Sequence, residues 1–232
     1  MSNLAETLFR PLHVASFLRI SMIECVSKVS TKLAIIVHGL FTKDITDSPL
    51  DSITPLLKSL GFDVHHFRYG FSGINKTLEN KKTSEGLTWV LNSISTTSYT
   101  QVLLIGHSNG CAIIDIAVRR SNSHLRPSII FLSPLVRRKT SLSKYVDRLD
   151  IFYNPRDIVS YVTRPLSLLP DFLVRGNWGD MATKGSAGYY SNVFNHKSLC
   201  SSFNPWVQHN PFLLDKHDTY YLVCHLKYLF SV

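Results

Sequence analysis

Long hydrophobic runs are missing from this chain, and cysteine is scarce. No apolar stretch approaches the roughly 18 residues that a membrane-spanning helix requires. Met1 to Arg10 lacks the basic start and apolar core of a secretory leader, so the chain is expected to be soluble and not exported. The four cysteines (Cys25, Cys111, Cys200, Cys224) are irregularly spread and no two stand at C-x-x-C spacing, which speaks against a disulfide framework and against a cysteine-based structural zinc site. Reduced thiols and a cytoplasmic location fit best. Acidic residues are few as well: 16 Asp+Glu against 25 Lys+Arg leave a net charge of +9.

Such an excess suits nucleic acid, an anionic membrane or a negatively charged substrate. It is local, because Arg119, Arg120, Arg126, Arg137, Arg138, Lys139, Lys144 and Arg148 face Asp147 alone in their stretch. That stretch lacks interleaved aromatics suited to base stacking. Nucleic acid is therefore not an expected partner, and the stretch reads as a solvated face or as a peripheral contact with anionic surfaces. What is abundant is apolar material: 44% of the 232 residues are hydrophobic and 18% charged, enough for a substantial core in a single domain spanning 1–232.

Short β-branched runs alternate with helix-like stretches, the pattern of a parallel sheet covered by helices on both faces. Leu33 to Val37, Phe62 to Phe67, Gln101 to Ile105, Ser128 to Leu132 and Leu149 to Tyr153 read as strands, with an edge strand over Ile20 to Val29 and a last strand over Tyr189 to Phe194. Ser48-Pro49 reads as an N-cap and first helical position, opening a helix that stops at Gly61. Helices are expected at Ser84 to Ser95, Asn109 to Arg120 and Tyr220 to Phe230, giving a βαβα order. Prolines and glycines break up the segment past Asn154, which marks it as a long loop region of the kind that carries function.

Gly106-His107-Ser108-Asn109-Gly110 matches G-x-S-x-G, directly after one strand and directly before a helix. That context puts the serine on a sharp turn where glycine two places to either side removes the Cβ atoms that would clash. His38-Gly39-Leu40 follows the first clear strand. On these residues the chain resembles the α/β-hydrolase superfamily, its serine esterases and lipases in particular, from Leu33 to Val232. The resemblance implies an α/β-hydrolase fold: a mostly parallel central sheet with helices on both faces. It implies a nucleophile at Ser108 and an oxyanion hole made by the backbone N–H groups of Leu40 and Asn109, and no metal or organic cofactor.

In the order of that family the acid follows the serine and precedes the histidine. Asp157, in a loop just past the Leu149 to Tyr153 strand, fits better than Asp171 or Asp180, and Asp150 stands at the wrong end of its strand. For the base, His217 closes the loop before the last helix, the place the family's histidine occupies, and is preferred over His196. His209 lies in an irregular loop and His225 within the last helix. His38, Gly39, His107 and His196 are candidate substrate contacts. Residues at about 158–188, rich in Leu and aromatics, stand where this family often grows a lid. The expected activity is cleavage of a small-molecule or lipid ester through an acyl-enzyme. The alternative is a non-catalytic binding protein on the same fold, using its basic stretch for nucleic acid or an anionic membrane.

Overall fold

A computed structural model describes residues 30–39, 48–69, 80–94, 99–138, 142–161, 180–188 and 190–231. The expected edge strand at Ile20 to Val29, together with Leu40, Lys139, Asp171, Tyr189 and residues 162–179 of the expected lid, lies outside the described residues.

Six strands form one sheet: β1 (Lys32–Val37), β2 (Phe62–Phe67), β3 (Gln101–His107), β4 (Ser128–Leu132), β5 (Arg148–Tyr153) and β6 (Val193–Lys197). They run in the order β2-β1-β3-β4-β5-β6, and every pairing is parallel. The helices are α1 (Thr54–Ser59), α2 (Asn80–Ile94), α3 (Asn109–Arg120), α4 (Met181–Lys184), α5 (Pro205–His209), α6 (Pro211–Leu214) and α7 (Lys216–Phe230).

Alternation along the central strands divides the core into two layers. Leu33, Ile35, Val37 and Leu104 pack with Leu87 and Leu91 of α2 and Ile113 and Ala117 of α3. Their neighbours Ala34, Ile36, Leu103 and Ile105 face the other way, against Leu57 of α1, Phe212 of α6 and Leu222, Leu226 and Phe230 of α7. Both faces of the sheet are thus covered, and the strand ends that carry the loops are left for the site.

Several boundaries differ from the sequence reading. The last strand begins at Val193, because Val193 N–H turns back onto the Tyr190 carbonyl and pairing starts with Leu149. The last helix begins at Lys216, because the Asp215 side chain caps it by accepting from the N–H groups of His217 and Asp218. Strict βα alternation fails between β4 and β5, where the described residues form only a short 3-10 turn, Leu142–Lys144. Two helices unforeseen in the sequence, α5 and α6, stand between β6 and α7.

Several cations of the basic stretch make contacts within the fold. Arg119 pairs with the buried Asp115 one helical turn away, and Arg126 donates to the Val146 carbonyl at 2.8 Å. Arg138 donates to the Gly185 carbonyl at 3.1 Å, and Arg148 grips Asp150 with two N–H groups at 2.6 and 3.1 Å.

Candidate active site

The turn between β3 and α3 carries the first element of the site. Ser108 has φ 54° and ψ −121°, a left-handed backbone that costs a non-glycine residue about 1–3 kcal/mol. The sheet holds it there: Ser108 N–H donates to the Leu132 carbonyl of β4, and the Ser108 carbonyl accepts from the N–H groups of Cys111 and Leu135. The glycines on either side are required by space. A Cβ on Gly110 would lie 2.2 Å from the Val37 carbonyl oxygen and 2.6 Å from that of His38, and one on Gly106 would lie 3.0 Å from the backbone of Cys111. The motif therefore allows α3 to start against the end of β1, with Ser108 at its apex and the Asn109 N–H opening the helix.

Asp157 follows β5. Its carboxylate is fully buried, and Oδ1 accepts from the N–H groups of Val159 (3.0 Å) and Ser160 (3.3 Å) at the start of a helical turn. That leaves Oδ2 to accept from His209 Nδ1–H at 2.8 Å. On its other edge, His209 Nε2 lies 2.9 Å from Ser108 Oγ. A hydroxyl, an imidazole and a carboxylate, all buried, are joined in series beyond the C-terminal ends of β3 and β5, where open parallel sheets place their sites.

The imidazole brought to Ser108 and Asp157 is that of His209, not of the preferred His217. His217 is exposed in the first turn of α7, its backbone N–H held by Asp215, and it does not meet Ser108. His196 sits on β6 and bonds to Asp150 and Tyr221 instead. The reading assumed that the loop after the last strand leads straight into the last helix. The short α5 intervenes and delivers His209 at its final residue. Its start was legible: Asn204 accepts from Trp206 N–H as an N-cap, and Pro205 takes the first helical position. A further bond, Asn154 Nδ2–H to the Gln208 carbonyl at 2.7 Å, ties the carboxylate's loop to the histidine's helix. The two other candidate acids differ in standing: Asp171 falls outside the described residues, and Asp180 pairs with Lys184 at 2.7 Å.

The remaining candidates surround this series. Gly39 lies against it, since a Cβ there would be 3.0 Å from Ser108 Cβ. His38 turns away: Nδ1–H donates to the Gly39 carbonyl at 2.7 Å, Nε2 accepts from Tyr69 N–H at 3.3 Å, and the ring stacks on Tyr69. Burial lowers its pKa and favours this neutral form. His107 is buried with Nε2 3.5 Å from the His209 carbonyl oxygen, and burial, with His209 as a neighbour, pushes its pKa down to about 3. Asn109 is clamped by its side chain, in a reciprocal pair with Asn80 (2.7 and 3.0 Å) and a bond to Tyr69 Oη (3.2 Å), which fixes the first residue of α3. Leu40, the other expected oxyanion donor, is outside the described residues.

No protein-family model matches the chain, and no curated protein sequence matches it. Solved structures do. The esterase Pf2001 of Pyrococcus furiosus aligns over 85% of this chain and 83% of its own, at 13% identity and a TM-score of 0.50. An esterase domain from a Rhodothermus marinus protein (15% identity, 85% and 84% covered, TM-score 0.49) and Est1E from Butyrivibrio proteoclasticus (12%, 85% and 86%, TM-score 0.48) are also similar. At these identities the likeness is one of fold. With its parallel sheet, helices on both faces and strained serine turn, the chain has the α/β-hydrolase fold. Among the described residues, no helix is long and apolar enough to cross a membrane.

Proposed function

We propose that the protein is a serine hydrolase that cleaves carboxylic esters through an acyl-enzyme. The observation that carries this reading is the series Asp157 Oδ2, His209 Nδ1, His209 Nε2, Ser108 Oγ, with links of 2.8 and 2.9 Å, ending on a serine at positive φ. In the forward step His209 Nε2 takes the proton of Ser108 Oγ as the oxygen attacks the ester carbonyl. Asp157, pinned by two backbone N–H groups, keeps the His209 proton on Nδ1 and so leaves Nε2 free to act as base. His209 then gives its proton to the leaving alcohol, and water attacks the acyl group by the same route in reverse.

Charge develops on the carbonyl oxygen beside Asn109, whose backbone N–H opens α3. With Leu40, which the family resemblance pairs with it, this N–H forms the oxyanion hole. One such donor is worth about 2.7–4 kcal/mol in the transition state. The substrate class is a small-molecule or lipid ester, and the Pyrococcus furiosus protein of similar fold is itself an esterase. Hydrolysis of a short-chain nitrophenyl ester tests the assignment. Wild type turns over, Ser108→Ala and His209→Ala fall by about 10²–10⁴-fold or more, and His217→Ala keeps its activity. Full activity in Ser108→Ala, or loss in His217→Ala with retention in His209→Ala, overturns it.

A further inference from the structure

A second cluster of ionisable side chains lies away from Ser108, between β5, β6 and α7. Asp150 Oδ1 faces His196 Nε2 at 2.7 Å and His225 Nε2 at 3.0 Å, and the three donor atoms all lie within 4.8 Å of one another. Asp150 is 1% exposed, whereas the two histidine side chains keep 11% and 10%, so the cluster opens to solvent along its imidazole edge. We propose that Asp150, His196 and His225 form a binding site for a zinc-class divalent transition-metal ion, one that clamps edge strand β6 and the C-terminal helix to β5.

The donor set selects the ion. Two imidazoles with one carboxylate suit zinc and its first-row neighbours and are poor for magnesium or calcium, which take oxygen ligands. At bond lengths of about 2.0–2.2 Å, two ligands of a tetrahedral zinc stand about 3.3 Å apart. The two contacts to Asp150 need to open by about half an ångström to reach that spacing, and the two imidazole donors already lie within 4.8 Å of each other. Three protein ligands leave the fourth position to water.

Surrounding groups already hold the ligands as outer-shell partners of metal ligands do. Arg148 Nε–H donates to Asp150 Oδ2 at 2.6 Å and a second Arg148 N–H reaches Oδ1 at a longer 3.1 Å, so the ion shares Oδ1, the oxygen that faces both imidazoles, with the weaker of the two guanidinium contacts. His196 Nδ1 lies 2.9 Å from Tyr221 Oη. In the metal-free protein each imidazole donates its Nε2 proton to Asp150. On metal binding that proton moves to Nδ1, and for His196 it lands on the bond to Tyr221 Oη. His196 stacks on Phe152 (centroids 4.4 Å apart) and His225 meets the same ring edge-on, so both are orientated before any ion arrives. His225 and Tyr221 stand one turn apart on α7, and His196 comes from the strand beside β5. No sequence spacing reveals such a set.

The test uses the full chain, stripped with chelator, in a thermal melt against zinc chloride and in cobalt(II) absorption. Free zinc at about 100-fold above Kd raises Tm by about 5–10 °C, and cobalt gives the visible bands of a four- or five-coordinate ion, saturating at one per chain. His196→Gln and His225→Gln retain an amide donor for Asp150, so each melts near the wild-type metal-free Tm but loses both the zinc rise and the cobalt bands. X-ray absorption of the zinc-loaded wild type, independent of any variant, shows an imidazole-containing shell. No zinc-dependent rise, an equal rise in both glutamine variants, or a shell without imidazole overturns the proposal.

Discussion

Replacing Asp157 with asparagine changes one atom and, by the geometry, reverses the His209 proton. Asp157 Oδ1 is held by the N–H groups of Val159 and Ser160, so the asparagine carbonyl must take that place. Flipping the amide would turn its NH₂ toward those two N–H donors and forfeit both hydrogen bonds, at about 1–3 kcal/mol each. The asparagine NH₂ is therefore forced toward His209 Nδ1, 2.8 Å from the present Oδ2. A donor there requires Nδ1 to accept, which moves the imidazole proton to Nε2, facing Ser108 Oγ. Nε2 is then unable to accept the Ser108 proton, with no change in packing. The same exchange in a characterised serine protease lowers kcat about 10⁴-fold, equivalent to about 5.5 kcal/mol at about 1.36 kcal/mol per tenfold. The assay is steady-state hydrolysis of a nitrophenyl ester by wild type and Asp157→Asn, with Tm measured on both. A fall of about 10³–10⁴-fold in kcat with Tm nearly unchanged is expected. A fall of less than about 10-fold in the folded variant would refute the tautomer argument.

Further outcomes follow from the surrounding contacts. Gly110→Ala drives a methyl into the Val37 and His38 carbonyls, and should lower stability by about 3 kcal/mol or more, seen as a Tm drop of roughly 6–12 °C. Asn154→Ala removes the bond to the Gln208 carbonyl that ties the acid loop to the histidine helix, and should lower kcat by about 10–10²-fold through misplacement of His209, with a smaller change in KM. His107, whose folded pKa is pushed down to about 3 against 6.5 unfolded, favours the folded state above pH 6.5 and loses that contribution as pH falls toward 3. Urea unfolding should therefore show stability falling by up to about 1.4 kcal/mol per pH unit over that window, with His38 acting in the same direction, and His107→Gln should flatten the slope.

The strands and the serine turn were legible because their signals are local. Val102 to Ile105 is a continuous apolar run ending at Gly106, and the G-x-S-x-G that begins there states its own backbone geometry. Asp157, which meets His209, could be singled out because it follows a strand whose end is visible in sequence. That His209 and not His217 meets Ser108 was hidden because it depends on counting elements through a segment where the helices are only four or five residues long. Pro205–His209 and Pro211–Leu214 are too short to show helical periodicity, and only the Asn204-Pro205 start signal marks the first of them. The part played by Asp150 was invisible for a different reason. Read as standing at the wrong end of its strand, it is the centre of contacts from Arg148, His196 and His225, and the two histidines lie 46 and 75 residues away in the chain. Likewise, the carbonyls that accept from Arg126 and Arg138 are backbone groups that composition cannot show.

Covalent labelling with a fluorophosphonate, read by peptide mass spectrometry, tests the central claim most directly, because the reagent reacts with a serine only when a base has activated it. The account predicts an adduct on Ser108 in the wild type, slowed by about 10²–10⁴-fold in His209→Ala, unchanged in His217→Ala and absent in Ser108→Ala. Folded wild-type protein with Ser108 unmodified, under conditions that label a control hydrolase, would contradict it.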